Sequence, residues 1–219
     1  MNSLKNRINL KKLQIPKTPS KEEPDNILPI QNLPTKNTIS QITENIYISG
    51  YMIGQNISYL KKNNFTHVIN CCLGSTLYDI HDNNQDEESL KQLYERNNIR
   101  YLSLLLRDDP EADIFYHFFQ IINFLESNTN IDDKKILFHC IEGKSRAPAM
   151  VAGYLMWKNK YKFIDVIELI KDKRNCVDIN LGFNIQLHKW ENHLLTIKKN
   201  KKIFNVINPS QNTIVLIKE

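Results

Sequence analysis

Phe138-His139-Cys140-Ile141-Glu142-Gly143-Lys144-Ser145-Arg146 sets a cysteine and an arginine at the two ends of a short polar run. The lead-in Lys135-Ile136-Leu137-Phe138 has the brevity and apolar density of a buried strand, whose end would project Cys140 into the loop. The continuation, Ala147-Pro148-Ala149-Met150-Val151-Ala152-Gly153-Tyr154-Leu155, is rich in small and apolar residues, as a helix packed on a sheet would be. Strand, tight loop and buried helix in that order predict an α/β domain with a site at the strand's carboxyl end.

A thiolate, not a thiol, is the nucleophile, so a reactive cysteine needs a helix N-terminus, a ring of backbone N–H groups or a cation beside it. This loop offers all of them. The amides of residues 141–146 can form a nest, the following helix adds its dipole, and the Arg146 fork suits two oxygens of a phosphate dianion. Gly143 permits the tight turn. A lone strand-end cysteine is usually a small buried hydrophobe; here the whole His-Cys-x-x-Gly-x-Ser-Arg string favours a phosphate-binding loop of residues Ile141, Glu142, Gly143, Lys144, Ser145 and Arg146.

At these residues the chain resembles the cysteine-dependent protein phosphatases, most closely their compact dual-specificity branch. Ile42-Thr43-Glu44-Asn45-Ile46-Tyr47-Ile48-Ser49-Gly50 looks like that family's opening strand and Phe65-Thr66-His67-Val68-Ile69-Asn70 like its second. Asn180-Leu181-Gly182-Phe183-Asn184-Ile185-Gln186-Leu187 looks like its closing helix. The resemblance implies a protein-tyrosine-phosphatase-like fold, a central and largely parallel sheet flanked by helices. It also implies hydrolysis of phosphotyrosine and phosphoserine/threonine in proteins through a cysteinyl-phosphate on Cys140. His139 would orient the loop and Ser145 would hydrogen-bond within it.

The leaving oxygen must be protonated as the P–O bond breaks. Tyr101-Leu102-Ser103-Leu104-Leu105-Leu106 reads as a buried strand, and Arg107-Asp108-Asp109-Pro110 as the loop leaving it. The family carries its general acid on such a loop, which implies Asp108, with Asp109 as the alternative. Asp109 or Asp113 also reads as an N-cap for a helix beginning near Ala112.

The chain departs from the family pattern at Ala147, where most relatives carry a hydroxyl residue that helps the thiolate leave the phospho-enzyme. Arg146-Ala147-Pro148 resembles the phosphatases of regenerating liver, although this chain ends Leu216-Ile217-Lys218-Glu219 without their prenylation box. A slow phosphatase is expected, and a phosphoprotein-binding protein with little turnover is the second reading. Lys144 raises a third, a phosphoinositide phosphatase. Glu142 would brace the loop backbone or Arg146. By resemblance, Cys72, rather than Cys71, would form a reversible disulfide with Cys140. No metal is expected, since Cys71-Cys72 lacks Cys-x-x-Cys spacing, and no cofactor is needed.

The 219 residues suit one domain with tails. Residues 1–39 read as a basic, proline-broken, disordered arm, residues 40–197 as the catalytic domain, and residues 198–219 as a basic segment with an appended hairpin. A net charge of +5 does not imply nucleic acid. The basic tails could meet an acidic partner or a membrane surface. Four cysteines and no secretory or membrane-length apolar run point to the cytoplasm or nucleus. The polar stretch His81-Asp82-Asn83-Asn84-Gln85-Asp86-Glu87 is expected to be a substrate-selecting loop before a helix over 89–97.

Overall fold

The computed structural model describes residues 35–73, 87–127, 134–200, 204–208 and 213–217. Its centre is strand β5, Ile136–His139, every residue of which is buried. Both of its edges are paired: β2, Ile46–Ser49, and β3, His67–Asn70, run parallel to it, matching Ile48 and Ile69 to Phe138. Strand β1, Ile39–Gln41, adds antiparallel to β2, and β4, Arg100–Ser103, adds parallel to β3. The five-stranded order is β1-β2-β5-β3-β4, so all pairs but one are parallel.

A parallel sheet needs helices on both faces, and its strands therefore read as unbroken apolar runs. Successive residues of β5 show this directly. Ile136 and Phe138 belong to the main core with Ile48, Ile69, Phe118, Met150 and Trp190, whereas Leu137 joins Leu60, Phe65, Val68 and Tyr94 on the other side. The smaller face is covered by α2, Ile57–Lys62, and α3, Glu87–Glu95, after the short α1, Tyr51–Gly54. The larger face takes α4, Phe115–Glu126, α5, Arg146–Asn159, α6, Phe163–Lys173, and α7, Leu181–Asn200. Helix α5 is buried from Arg146 to Met156, which explains its run of small residues.

Two boundaries differ from the sequence reading. The strand expected through Leu106 stops at Ser103. There the Leu106 amide turns back onto the Leu104 carbonyl at 2.9 Å, ending the ladder and leaving Leu105 70% exposed between buried neighbours. The helix expected near Ala112 starts at Phe115, because side chains have already claimed the backbone before it. Gln186 binds Ala112 and Ile114, and Asp113 Oδ1 accepts from the Phe115 amide. The carboxy-terminal hairpin pairs β6, Phe204–Asn208, antiparallel with β7, Thr213–Ile217. The arm read as disordered through residue 39 is ordered at its end, where Thr35–Asn37 form a 3-10 turn and Ile39 opens β1; its residues 1–34 and the polar stretch within 74–86 lie outside the described residues.

Candidate active site

Cys140 follows the last residue of β5 and is 2% exposed; the chain then turns through residues 141–145 and enters α5 at Arg146. Gly143 has φ of +68°, and a Cβ there would lie 2.6 Å from the Ser49 carbonyl oxygen, so glycine is required on both counts. Its amide donates to Cys140 Sγ at 3.2 Å. The carbonyls of four consecutive loop residues face outward to fixed donors. The Tyr51 amide donates to Ile141 at 3.0 Å and the Asp178 amide to Lys144 at 2.9 Å. Arg174 serves the two between, donating Nη2 to Glu142 at 2.9 Å and Nε to Gly143 at 2.7 Å. A loop whose carbonyls are turned outward presents its N–H groups to the other side, which is an anion nest.

Arg174 went unremarked in the sequence, where nothing separates it from Lys171 and Lys173. It is 2% exposed, and Nη1 also donates to the Thr38 and Ser40 hydroxyls at 3.2 and 3.3 Å. One side chain thus joins the end of α6, the edge of the sheet and the loop.

Arg146 lies under the loop and donates Nη1 to the Leu106 carbonyl at 3.3 Å. Its Nε stands 3.6 Å from Asp108 Oδ2. The other Asp108 oxygen accepts from Ser145 Oγ at 2.6 Å and from Asn180 Nδ2 at 2.8 Å. The Asn180 amide in turn donates to Ser145 Oγ at 3.3 Å. Asp109 is engaged elsewhere, accepting from the Glu111 amide at 2.9 Å and facing the exposed Arg107 at 3.6 Å. Asp113 accepts from Phe115 at the start of α4. Of the three carboxylates weighed from sequence, Asp108 is the one in contact with the arginine.

His139 is wholly buried beneath the loop, edge-on to Tyr51 with ring centroids 6.5 Å apart. Gly54 makes room for it, since a Cβ there would stand 2.3 Å from the ring. Burial pushes its pKa down to about 4, and the Arg146 charge adds to the effect. The ring is therefore neutral at physiological pH. Ala147, in the first turn of α5, is fully buried. The Lys144 side chain is 41% exposed and pairs with Glu142 at 2.6 Å. That bond holds its pKa up. Glu142 thus meets Lys144 through its carboxylate and Arg174 through its carbonyl.

Cys71 and Cys72 are both buried in one core cluster with Cys140. Register continues past the paired Asn70 and His139, and the Cys71 amide donates to the His139 carbonyl at 2.8 Å. Burial, and next the charge of Cys140, push the Cys71 thiol well up. Cys72, one residue on, donates its thiol to Asn70 Oδ1 at 3.1 Å. Among the described residues, no group of three or more His, Cys, Asp or Glu side chains is placed to hold a metal ion. No helix among them is long and apolar enough to cross a membrane.

Comparison with known proteins agrees with this geometry. The chain is 30% identical over 148 residues to Protein-tyrosine-phosphatase MKP1 of Arabidopsis thaliana, covering 68% of this chain and 17% of that protein. It is 26% identical to Dual specificity protein phosphatase 22 of Mus musculus, covering 71% of this chain and 74% of the relative. Solved structures with the same fold include DUSP15, at a TM-score of 0.53 and 23% identity over 72% of this chain and 95% of that one. The human tyrosine phosphatase-like serine/threonine/tyrosine-interacting protein follows at a TM-score of 0.56 and 24% identity over 72% and 97%. The family model described as “Dual specificity phosphatase, catalytic domain” matches residues 46–193, which carry Cys140, Arg146 and Asp108 together with the strands and helices that place them: the chain belongs to the dual-specificity phosphatase family.

Proposed function

We propose that this protein dephosphorylates phosphotyrosine and phosphoserine/threonine in proteins through a cysteinyl-phosphate on Cys140. The observation that carries the reading is the Gly143 amide donated to Cys140 Sγ at 3.2 Å inside a loop whose carbonyls all face away. In the first step the Cys140 thiolate attacks phosphorus, the S–P bond forms as the P–O bond breaks, and Asp108 gives its proton to the departing oxygen. Arg146 and the loop amides hold the phosphoryl oxygens. In the second step the Asp108 carboxylate takes a proton from water, whose oxygen attacks phosphorus and releases the thiolate. The cysteine supplies the nucleophile and the loop supplies the charge stabilisation, so the two steps call on no metal or organic cofactor.

A second reading rests on Ala147, whose buried methyl puts no hydroxyl beside the departing thiolate. Slow hydrolysis of the intermediate would make the protein a phosphoprotein trap. The phosphoinositide reading loses support, because Lys144 is exposed and paired with Glu142. For redox control we infer Cys71 or Cys72 as the partner of Cys140. Four free cysteines favour a reducing compartment, the cytoplasm or nucleus. The basic arm remains a proposed contact for an acidic partner or membrane surface.

The test is phosphate release from phosphopeptides and phosphoinositides by wild type, Cys140→Ser and Arg146→Ala. Release from phosphopeptides by wild type, abolished in both variants, supports phosphatase activity. Retention of phosphopeptide without release supports the trap, and substantial turnover by purified Cys140→Ser overturns the mechanism.

A further inference from the structure

The loop that carries Asp108 is joined to α7 at successive points along its length. Asn180, just before α7, donates to Asp108 itself. One residue into the helix, Gly182 abuts Pro110 so closely that a Cβ would stand 1.8 Å from the Pro110 carbonyl oxygen. One turn further, the Gln186 amide grips the loop's far end with both of its groups. Its Oε1 accepts from the Ile114 amide at 3.0 Å and its Nε2 donates to the Ala112 carbonyl at 2.8 Å.

These contacts add to the Arg146 bond to the Leu106 carbonyl and the Ser145 bond to Asp108, and they alone tie the loop to α7 beyond Asp108 among the described hydrogen bonds. Strand pairing ends at Ser103, α4 begins only at Phe115, and the intervening residues cross the site without a ladder. The span is buried at both ends, at Leu104 and Leu106 and again at Ile114, with Arg107 exposed between them, and Gln186 holds the second of these ends. The glutamine satisfies a donor and an acceptor at once, which no aliphatic residue can do. Gly182 lets the helix approach until the two backbones touch.

We propose that Gln186 and Gly182 are positioning residues for the general acid: they set the height of the residue 104–114 loop over α7 and thereby the reach of Asp108 to the leaving oxygen. The proposal rests on Asp108 being the acid, and it concerns protonation of the leaving group, not capture of the phosphoryl group. Gln186 touches none of the residues of the phosphate loop in the hydrogen bonds it makes. Proton transfer tolerates little misplacement, since a shift of about 1 Å can cost about 10²-fold.

The experiment compares aryl phosphates of good and poor leaving groups in wild type, Gln186→Met, Gly182→Ala, Asp108→Asn and the double variant Asp108→Asn/Gln186→Met. Met keeps the volume of Gln and removes both hydrogen bonds. The expected result is a fall in kcat/KM, which reports cysteinyl-phosphate formation, of about 10–100-fold for the poor leaving group, with a much smaller change for the good one, and no further loss from Gln186→Met once Asp108 is Asn. Equal losses for all leaving groups, or losses that add in the double variant, would mean a general structural role and overturn the proposal. Should Gln186→Met fail to fold, Gly182→Ala gives the same readout through the other contact. Should Asp108→Asn itself show no leaving-group dependence, the acid assignment fails, and the positioning role fails with it.

Discussion

Asp108 and Asp109 are adjacent and chemically identical, yet only one meets the phosphate loop. Ser145, Asn180 and Arg146 converge on Asp108, while Asp109 caps its own turn and faces Arg107. Asp108→Asn is expected to slow turnover of a poor leaving group by about 10²–10⁴-fold while leaving the burst with an activated aryl phosphate largely intact; a larger defect in Asp109→Asn would transfer the role. Ala147 bears on the second step instead. A hydrogen bond to a charged group is worth about 1.5–3 kcal/mol, so Ala147→Ser should raise a hydrolysis-limited kcat by roughly 10–150-fold. Rapid mixing should show the wild-type burst shrinking in that variant. An unchanged burst and steady state would make the alanine incidental.

Between elements, Arg174 does what no residue of the loop can do for itself. It faces two loop carbonyls and two hydroxyls of the β1 region from the end of α6. Arg174→Met would leave those buried acceptors without a donor, at a cost of about 1–3 kcal/mol for an unsatisfied group. Urea denaturation should show that loss, and phosphate affinity should weaken as the carbonyls turn inward; unchanged stability and affinity would remove Arg174 from the account. The difference between what was and was not legible in the sequence lies here. Cys140, Gly143 and Arg146 are close in the chain and announce themselves as a string. Arg174 and Gln186 depend on contacts between distant segments, which no local pattern encodes. Likewise the stretch 101–106 is apolar but for Ser103, and only the backbone turn at Leu106 shows where the sheet stops.

Across the whole molecule, the strand, tight loop and buried helix over 135–155 were enough to expect an α/β domain, and the family resemblance added the largely parallel sheet flanked by helices. Length and burial give that architecture a further property. His67 and His139 are buried on neighbouring strands, and burial first of all pushes each down to about 4 from an ordinary value of 6.5. The unfolded chain therefore takes up protons first as pH falls. Stability from these rings is complete above about 6.5 and is lost toward about 4, on the order of 3 kcal/mol for the wholly buried His139 and less for His67, which solvent screens in part. The urea midpoint should fall between pH 7 and pH 5, and less so in His139→Asn; a flat midpoint would contradict neutral burial. The central claim, that Cys140 accepts the phosphoryl group, is tested most directly by acid-quenching the enzyme during turnover of a phosphotyrosine peptide and mapping the phosphorylated residue by mass spectrometry. The account predicts one added phosphoryl group on Cys140, present in Asp108→Asn with an activated substrate and absent in Cys140→Ser. Turnover with no phosphoryl group on Cys140, or a phosphoryl group found on another residue, would contradict it.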